Sequence, residues 1–191
     1  NASAFIFAGG SQSISLSASG TAHGIQAPID IIGGSFINSG GIDVVAFGTV
    51  DVSLRADTDD GAAKAFIEAA SDLDVAASIS AYGLEVTITT LSGDFTNSGD
   101  IAVVAHGAIV VALEADALVG PATAFISASA ISITVFALAI GANVDITTLD
   151  GSFSNSGDIA TTAFASIDIS VAATGGESAS AYISATEESV T

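Results

Sequence analysis

The chain has 191 residues, half of them hydrophobic, no cysteine and a formal net charge of −19. Arg55 and Lys64 are its only strongly basic residues, which excludes nucleic acid as a partner, because phosphate binding needs clustered Lys and Arg. Disulfides are excluded as well, and the apolar residues, mostly Ala, Val and Ile, predict a thin core of small and β-branched side chains.

Two short motifs recur along the chain. The motif Phe-x-Asn-Ser-Gly-x-Ile occurs three times, and its asparagines, Asn38, Asn97 and Asn155, are 59 and then 58 residues apart. The motif Ala-Phe-Ile, once with Tyr in place of Phe, occurs four times, at 4–6, 65–67, 124–126 and 181–183. Self-similarity at a fixed long period predicts a repeat architecture.

The repeat extends over nearly the whole chain. We therefore expect one repeat-built β domain over 1–191. Its repeats are 1–34 (partial), 35–93, 94–151 and 152–191 (partial).

Apolar and other residues alternate after each Asn motif for some fifteen positions. In the middle copy the apolar set is Ile101, Val103, Ala105, Gly107, Ile109, Val111, Leu113 and Ala115. This period of two predicts a β-strand with one face on a core. The opposite face of each strand carries both polar and apolar residues, as expected of a face in contact with water. Phe47, His106 and Phe164 belong to this outward face.

The Asn-Ser-Gly triplets predict turns, in which Asn tolerates a left-handed backbone and Gly takes a positive φ. Further breaks are expected at 33–34, 92–93 and 150–151, where Gly precedes each Asn motif. The spacing from Phe66 to Leu73 exceeds that from Phe125 to Ile131 by one residue, which predicts a corner there.

These patterns favour an all-β fold, a right-handed parallel β-solenoid (β-helix) with repeats of about 59 residues. We expect each repeat to form about three coils of roughly twenty residues, so that the chain spans on the order of 45 Å and equivalent residues recur every third coil. The alternative is an antiparallel β-sandwich or meander with long strands.

One segment, Ala117 to Val144, contains no charged residue and superficially resembles a membrane span. Gly120 and Pro121 interrupt it. The matching positions of the previous repeat include Glu68 and Asp72, and two copies of one repeat are expected to share an environment. We therefore expect no membrane insertion.

Few residues are candidates for chemistry, and we expect neither enzymatic activity nor a catalytic or cofactor-binding residue. His106 stands where the other copies have Phe, and His23 has no partner motif. Four aspartates are expected to face outward on strands without forming a catalytic pair. They are Asp43, Asp51, Asp100 and Asp168.

The one candidate metal site is an acidic turn. Asp57, Asp59 and Asp60 precede Gly61, and closely spaced carboxylates before a tight bend are typical of the start of a calcium loop. Glu68, the nearest later acid, is out of register for an EF-hand. Calcium is thus the only cofactor that the sequence suggests, and a plain acidic turn is the alternative.

The Phe-x-Asn-Ser-Gly-x-Ile motif with its alternating Ala/Val strand resembles the repeats of bacterial surface proteins of the filamentous-haemagglutinin and autotransporter-adhesin type. The resemblance extends over nearly the whole chain and lies in the style of the repeat. It implies a parallel β-helical stalk at the cell surface or outside the cell, with a role in adhesion, biofilm matrix or filaments.

The phase of the repeat suggests how such a stalk would be built. Phe5 and Tyr182 lie at equivalent points, three periods apart, so that the two ends of a solenoid would match in register. We expect an extracellular filament or stalk subunit that stacks head to tail on identical copies, with Phe47 and Phe164 available for lateral contacts. The alternatives are a fragment of a large adhesin that binds saccharides or cell surfaces, and a β-helical enzyme acting on polysaccharides.

Overall fold

The computed structural model describes all of residues 1–191 and contains strands and bends only. Its fourteen strands are β1 (Ala2–Ala8), β2 (Ile14–Ile32), β3 (Phe36–Asn38), β4 (Ile42–Thr58), β5 (Ala63–Ala69), β6 (Asp72–Leu91), β7 (Phe95–Asn97), β8 (Ile101–Ala117), β9 (Pro121–Ser127), β10 (Ala130–Leu149), β11 (Phe153–Asn155), β12 (Ile159–Gly175), β13 (Ser178–Ser184) and β14 (Glu187–Val190). No part of the chain forms a helix with the length and hydropathy that crossing a bilayer requires.

Each strand from β1 to β10 pairs with the strand four places later in the chain, and every pairing is parallel. The sheets have the orders β1-β5-β9-β13, β2-β6-β10-β14, β3-β7-β11 and β4-β8-β12. The fold is therefore a parallel β-solenoid, as the repeat predicted, and the antiparallel alternative is wrong. Each coil contains four strands, and β13 and β14 begin a fourth coil.

The size of the coil differs from the sequence expectation. Phe36 lies directly under Phe95, and Phe95 under Phe153, so one repeat of 59 or 58 residues is one coil and not three. A strand of 17 residues, such as β8, is about 56 Å long and does not fit into a twenty-residue coil. Three coils spaced by about 4.8 Å rise on the order of 15 Å, so the predicted axial length of 45 Å is also wrong.

The coil is wide and thin, and its core forms two apolar clusters. One lies between β5, the first part of β6 and the second part of β8, and includes Ile67, Leu73 and Ile109. The other lies between the end of β6, β7 and the first part of β8, and includes Ile88 and Ile101. The alternation predicted for β8 is confirmed, since its odd positions point into this core.

The corners fall at short bends. The predicted corner after Phe66 is confirmed, because β5 ends at Ala69 and β6 starts at Asp72. A change of inward parity that the sequence reasoning missed lies within the continuous strand β6, where the consecutive residues Gly83 and Leu84 are both buried. A Cβ added at Gly83 would lie 2.5 Å from Cγ2 of Ile101, so glycine permits this close approach of β6 and β8.

Candidate assembly surfaces

The asparagines of the repeated motif form a ladder inside the solenoid. The Nδ2 atom of Asn38 donates to Oδ1 of Asn97 at 2.6 Å, and Nδ2 of Asn97 donates to Oδ1 of Asn155 at 2.6 Å. Asn97 also donates to the carbonyl of Gly99 at 3.1 Å, which satisfies the buried amide. The local bond to Gly99 matches the turn prediction, whereas the axial ladder depends on direct stacking of repeats and was missed.

The ladder has a direction. Each amide group donates toward the following coil, so Oδ1 of Asn38 accepts no hydrogen bond and Nδ2 of Asn155 donates only to the carbonyl of Gly157. The bottom of the stack therefore presents an acceptor and the top a donor. Two ends with opposite hydrogen-bonding character suit a head-to-tail contact.

The glycines of the same motif allow the turns to stack. Gly40, Gly99 and Gly157 do not have a positive φ, so the predicted left-handed conformation is wrong at these positions. A Cβ added at Gly99 would collide with the carbonyl oxygen of Gly40, and one added at Gly157 would collide with that of Gly99. Glycine is required here by the coil below, and at Gly40, in the lowest coil, an added Cβ meets nothing.

Aromatic rings form two ladders along the axis. Inside, Phe36, Phe95 and Phe153 stack with ring centroids 5.0 and 4.8 Å apart. On the outside of the first sheet a second ladder has nearly parallel rings with centroids 5.1 to 5.3 Å apart. Its members are Phe5, Phe66, Phe125 and Tyr182. At the two ends of each ladder one ring face has no neighbouring ring.

The third coil has an open axial face. Its strands β11 and β12 pair on one edge only. Ile159 is 44% exposed and Phe153 is 55% exposed, although Ile101 and Phe95 in the equivalent positions one coil below are each 1% exposed. The open face thus combines unpaired backbone groups with an uncovered apolar interior.

The outward column of β4, β8 and β12 consists of Phe47, His106 and Phe164. The ring of His106 makes edge contacts with both phenylalanines, at centroid distances of 5.6 and 4.8 Å. Phe47 is 68% and Phe164 52% exposed, which confirms that this face is directed outward. His106 packs within this column, as its exchange with Phe among the repeats predicted.

His23 has partners that the sequence did not reveal. Its ring stacks on Tyr82 with centroids 4.9 Å apart, and its Nδ1 lies 3.2 Å from Oε2 of Glu85. Gln26 donates to the same carboxylate at 3.0 Å. These residues meet because β2 and β6 lie in adjacent coils, so that positions 59 residues apart are neighbours. With a coil of twenty residues, this contact could not be predicted from the sequence. The cluster ties the first two coils together on their outer surface.

The structure places the four outward aspartates of the sequence analysis in different surroundings. Asp51 and Asp168 share an outward column in which Val110 lies between them, and Asp43 stacks on Ala102. Asp100 lies in the bend before β8 and not on a strand, and its Oδ1 accepts a hydrogen bond from the backbone N–H of Asp158 at 3.0 Å. Asp100 therefore caps the turn of the next coil.

The acidic turn considered for calcium does not bring its carboxylates together with others. No group of three or more His, Asp or Glu side chains able to hold a metal ion occurs in the structure. Instead, Oδ2 of Asp57 lies 3.4 Å from Nη2 of Arg55. Nη1 of the same arginine lies 2.7 Å from Oε2 of Glu114. Asp59 and Asp60 follow in the exposed bend. The calcium site at Asp57, Asp59 and Asp60 stays a prediction without geometric support.

Asp94 illustrates how side chains cap turns between coils. Its Oδ1 accepts hydrogen bonds from the backbone N–H of Ser152 at 2.8 Å and from the Ser152 hydroxyl at 2.7 Å. These hydrogen bonds stabilise the carboxylate and lower the pKa of Asp94 below its ordinary value of 3.8. The bend before each Asn motif is thus held to the bend one coil above it.

No protein-family model, curated protein or solved structure matches this chain. The resemblance of its repeats to those of bacterial surface proteins stays an expectation drawn from the sequence. Its function must consequently be inferred from the stacked columns and from the open axial faces.

Proposed function

We propose that this chain is an extracellular structural protein, a filament or stalk subunit whose solenoid units stack head to tail along the coil axis. The open face of the third coil carries the proposal, because β11 and β12 have one unpaired edge and an uncovered interior. Such an edge is a template for another parallel strand. A further coil would give Ile159 and Phe153 the burial that Ile101 and Phe95 have.

The opposite ends of the stack support a contact between identical copies. Nδ2 of Asn155 in one copy has no acceptor in a following coil, and the side-chain Oδ1 of Asn38 in the next copy accepts no hydrogen bond. The contact joins two different surfaces, so each added copy leaves a free end to which another copy can bind. Such a head-to-tail contact generates a filament unless the copies close into a ring. Phe47 and Phe164 are then available for lateral contacts between filaments.

The charge of the chain makes the proposed stacking dependent on salt. With a net charge of −19, copies repel one another in solution, and added salt screens that repulsion. We therefore expect stacking to strengthen as the salt concentration rises. The proposal assigns the chain no enzymatic activity, no cofactor, no nucleic-acid partner and no membrane insertion.

The second candidate is a segment of a larger adhesin that binds cell surfaces or saccharides. The same open face favours it, since the next coil would then be supplied by the same polypeptide. The two candidates differ in what the 191-residue chain does when purified. Long uniform fibres support the filament subunit, whereas dispersed particles at high protein and salt concentration support the adhesin segment.

The experiment compares the chain with two lysine variants by negative-stain electron microscopy. Thr161 and Thr162 are neighbours on β12 and are both exposed, but Thr161 points toward the interior and Thr162 away from it. In the variant Thr161→Lys, stacking would bury the new ammonium group beneath Val44 of the next copy, at the cost of an unpaired buried charge. We expect fibres from the native chain and from Thr162→Lys and none from Thr161→Lys.

The lysine pair also separates stacking from general effects of charge. Both variants add the same charge to the same strand, so a loss of fibres in both would point to electrostatics and not to the axial interface. Fibres of equal length from Thr161→Lys would contradict stacking through this face. Circular dichroism of each variant checks that the strands are retained.

A further inference from the structure

The open face of the third coil has a step, because the fourth coil is only begun. β13 pairs with the whole of β9, whereas β14 pairs with Ala130–Ile133 at the start of β10. The rest of β10, and all of β11 and β12, lie one level lower and have an open edge. Any copy that stacks on this face must accommodate the step.

Stacking brings two segments into competition for one sheet edge. When β3 and β4 of a second copy lie on β11 and β12, its β1 and the start of its β2 fall where β13 and β14 already lie. The pairing registers show this, since Ile14 occupies the same column as Leu73, Ile131 and Glu188. The segments also correspond in sequence, with Ala-Ser-Ala-Phe-Ile at 2–6 and Ala-Ser-Ala-Tyr-Ile at 179–183.

We propose that β13 and β14 form a replaceable cap, which β1 and the first residues of β2 of a second copy displace when the two copies stack. The inference rests on the proposed axial stacking and specifies its partner surface. In the single chain the cap covers part of the open edge. In the stack the incoming strands take over its backbone pairing with β9 and β10.

The inward side chain of the cap favours its replacement. Glu188 occupies an interior column above Ile131 and lines a cavity of about 80 Å³ whose other lining residues are apolar, among them Ile133 and Val190. A carboxylate is a poor neighbour for an apolar interior. Displacement would replace Glu188 in this column by Ile14 of the second copy, so that an apolar side chain completes the lining of the cavity.

The balance of strand pairing favours the exchange as well. The cap contributes seven residues of β13 and four of β14, all of them exposed, and the incoming strands replace this pairing with the same registers. The second copy additionally covers the seventeen residues of β12 and the three of β11. Pairing is thus conserved at the cap and gained over the rest of the open face.

A disulfide that locks the cap tests the proposal in the full chain. Ser127 and Ser184 are outward neighbours on β9 and β13, and adjacent strands about 4.8 Å apart lie within the Cα separation that a disulfide spans. The chain has no cysteine of its own, so Ser127→Cys with Ser184→Cys gives a single defined bridge. The matched control, Ser19→Cys with Ser78→Cys, locks β2 to β6, a pairing that stacking leaves intact.

Fibre formation is followed by sedimentation and negative-stain electron microscopy for both variants, oxidised and reduced. We expect the oxidised cap variant to lose assembly, reduction to restore it, and the control to assemble in both states. Assembly of the oxidised cap variant at the rate of the control would overturn the replaceable cap while leaving axial stacking in place. If the native chain and every variant stay dispersed, axial stacking itself fails.

Discussion

The second and third coils have nearly the same pattern of residues and yet very different surroundings. Phe95 and Phe153 stand in one column, but the first is 1% exposed and the second 55% exposed. Ile101 and Ile159 differ in the same way. The comparison teaches that the coil above supplies the missing cover, because Ile42, in the lowest coil with none beneath it, is only 7% exposed, whereas Ile159 in the third coil is 44% exposed.

The largest expected effect comes from truncating the same ring in the two coils. Phe95→Ala removes a fully buried ring from between two stacked neighbours and should lower the free energy of unfolding by about 3–5 kcal/mol. Phe153→Ala removes a ring that is already half exposed, and we expect a loss of roughly 1 kcal/mol. Urea denaturation followed by circular dichroism measures both. Equal losses would show that the two coils are equally buried in solution.

A smaller effect on stability is expected from the hydrogen bonds between Ser152 and Asp94, which connect the bends of the second and third coils. Because hydrogen bonds from Ser152 lower the pKa of Asp94 in the folded chain, this contact stabilises the fold above pH 3.8, the ordinary value. The stabilisation is lost as the pH falls through the lower folded value. The melting temperature of the native chain should therefore fall more steeply than that of Asp94→Asn over this acidic range.

The control for this pH dependence is Asp43→Asn on β4, since the side chain of Asp43 is exposed and lies on the outer face of that strand. Its melting temperature should follow the native curve. Parallel curves for the native chain and Asp94→Asn would mean that the Asp94–Ser152 contact does not hold the two coils together in solution.

Much of the fold was predictable from the sequence, because backbone pairing and core burial leave a direct period. Alternation after Ile101 indicated a half-buried strand, and recurrence of the Asn motif indicated stacked repeats. The predicted coil length was wrong, and the alternation itself shows why. Fifteen alternating residues form one long strand, which does not fit into a coil of twenty residues. The conflict was between the alternation and an assumed coil of twenty residues.

The candidate surfaces were less accessible to sequence reasoning. Three features depend on direct contact between residues that are about one repeat apart in the sequence. They are the hydrogen bond from Asn38 to Asn97, the close approach of Gly99 to the carbonyl oxygen of Gly40, and the contacts of His23 with the second coil. Once a repeat is assumed to be one coil, each of these contacts follows from the alignment of the repeats. The inward Glu188 and the step at β14 depend in addition on which coil is incomplete.

The central claim, that copies stack through the same columns that join coils within one chain, is tested most directly at Gly40. An alanine there meets nothing in the single chain, but in a stack its Cβ would meet the carbonyl oxygen of Gly157 of the neighbouring copy, as a Cβ added at Gly99 would meet that of Gly40. Sedimentation velocity over a range of protein concentrations should show large assemblies for the native chain and single particles for a normally folded Gly40→Ala. Assemblies of the same size in Gly40→Ala would contradict the account.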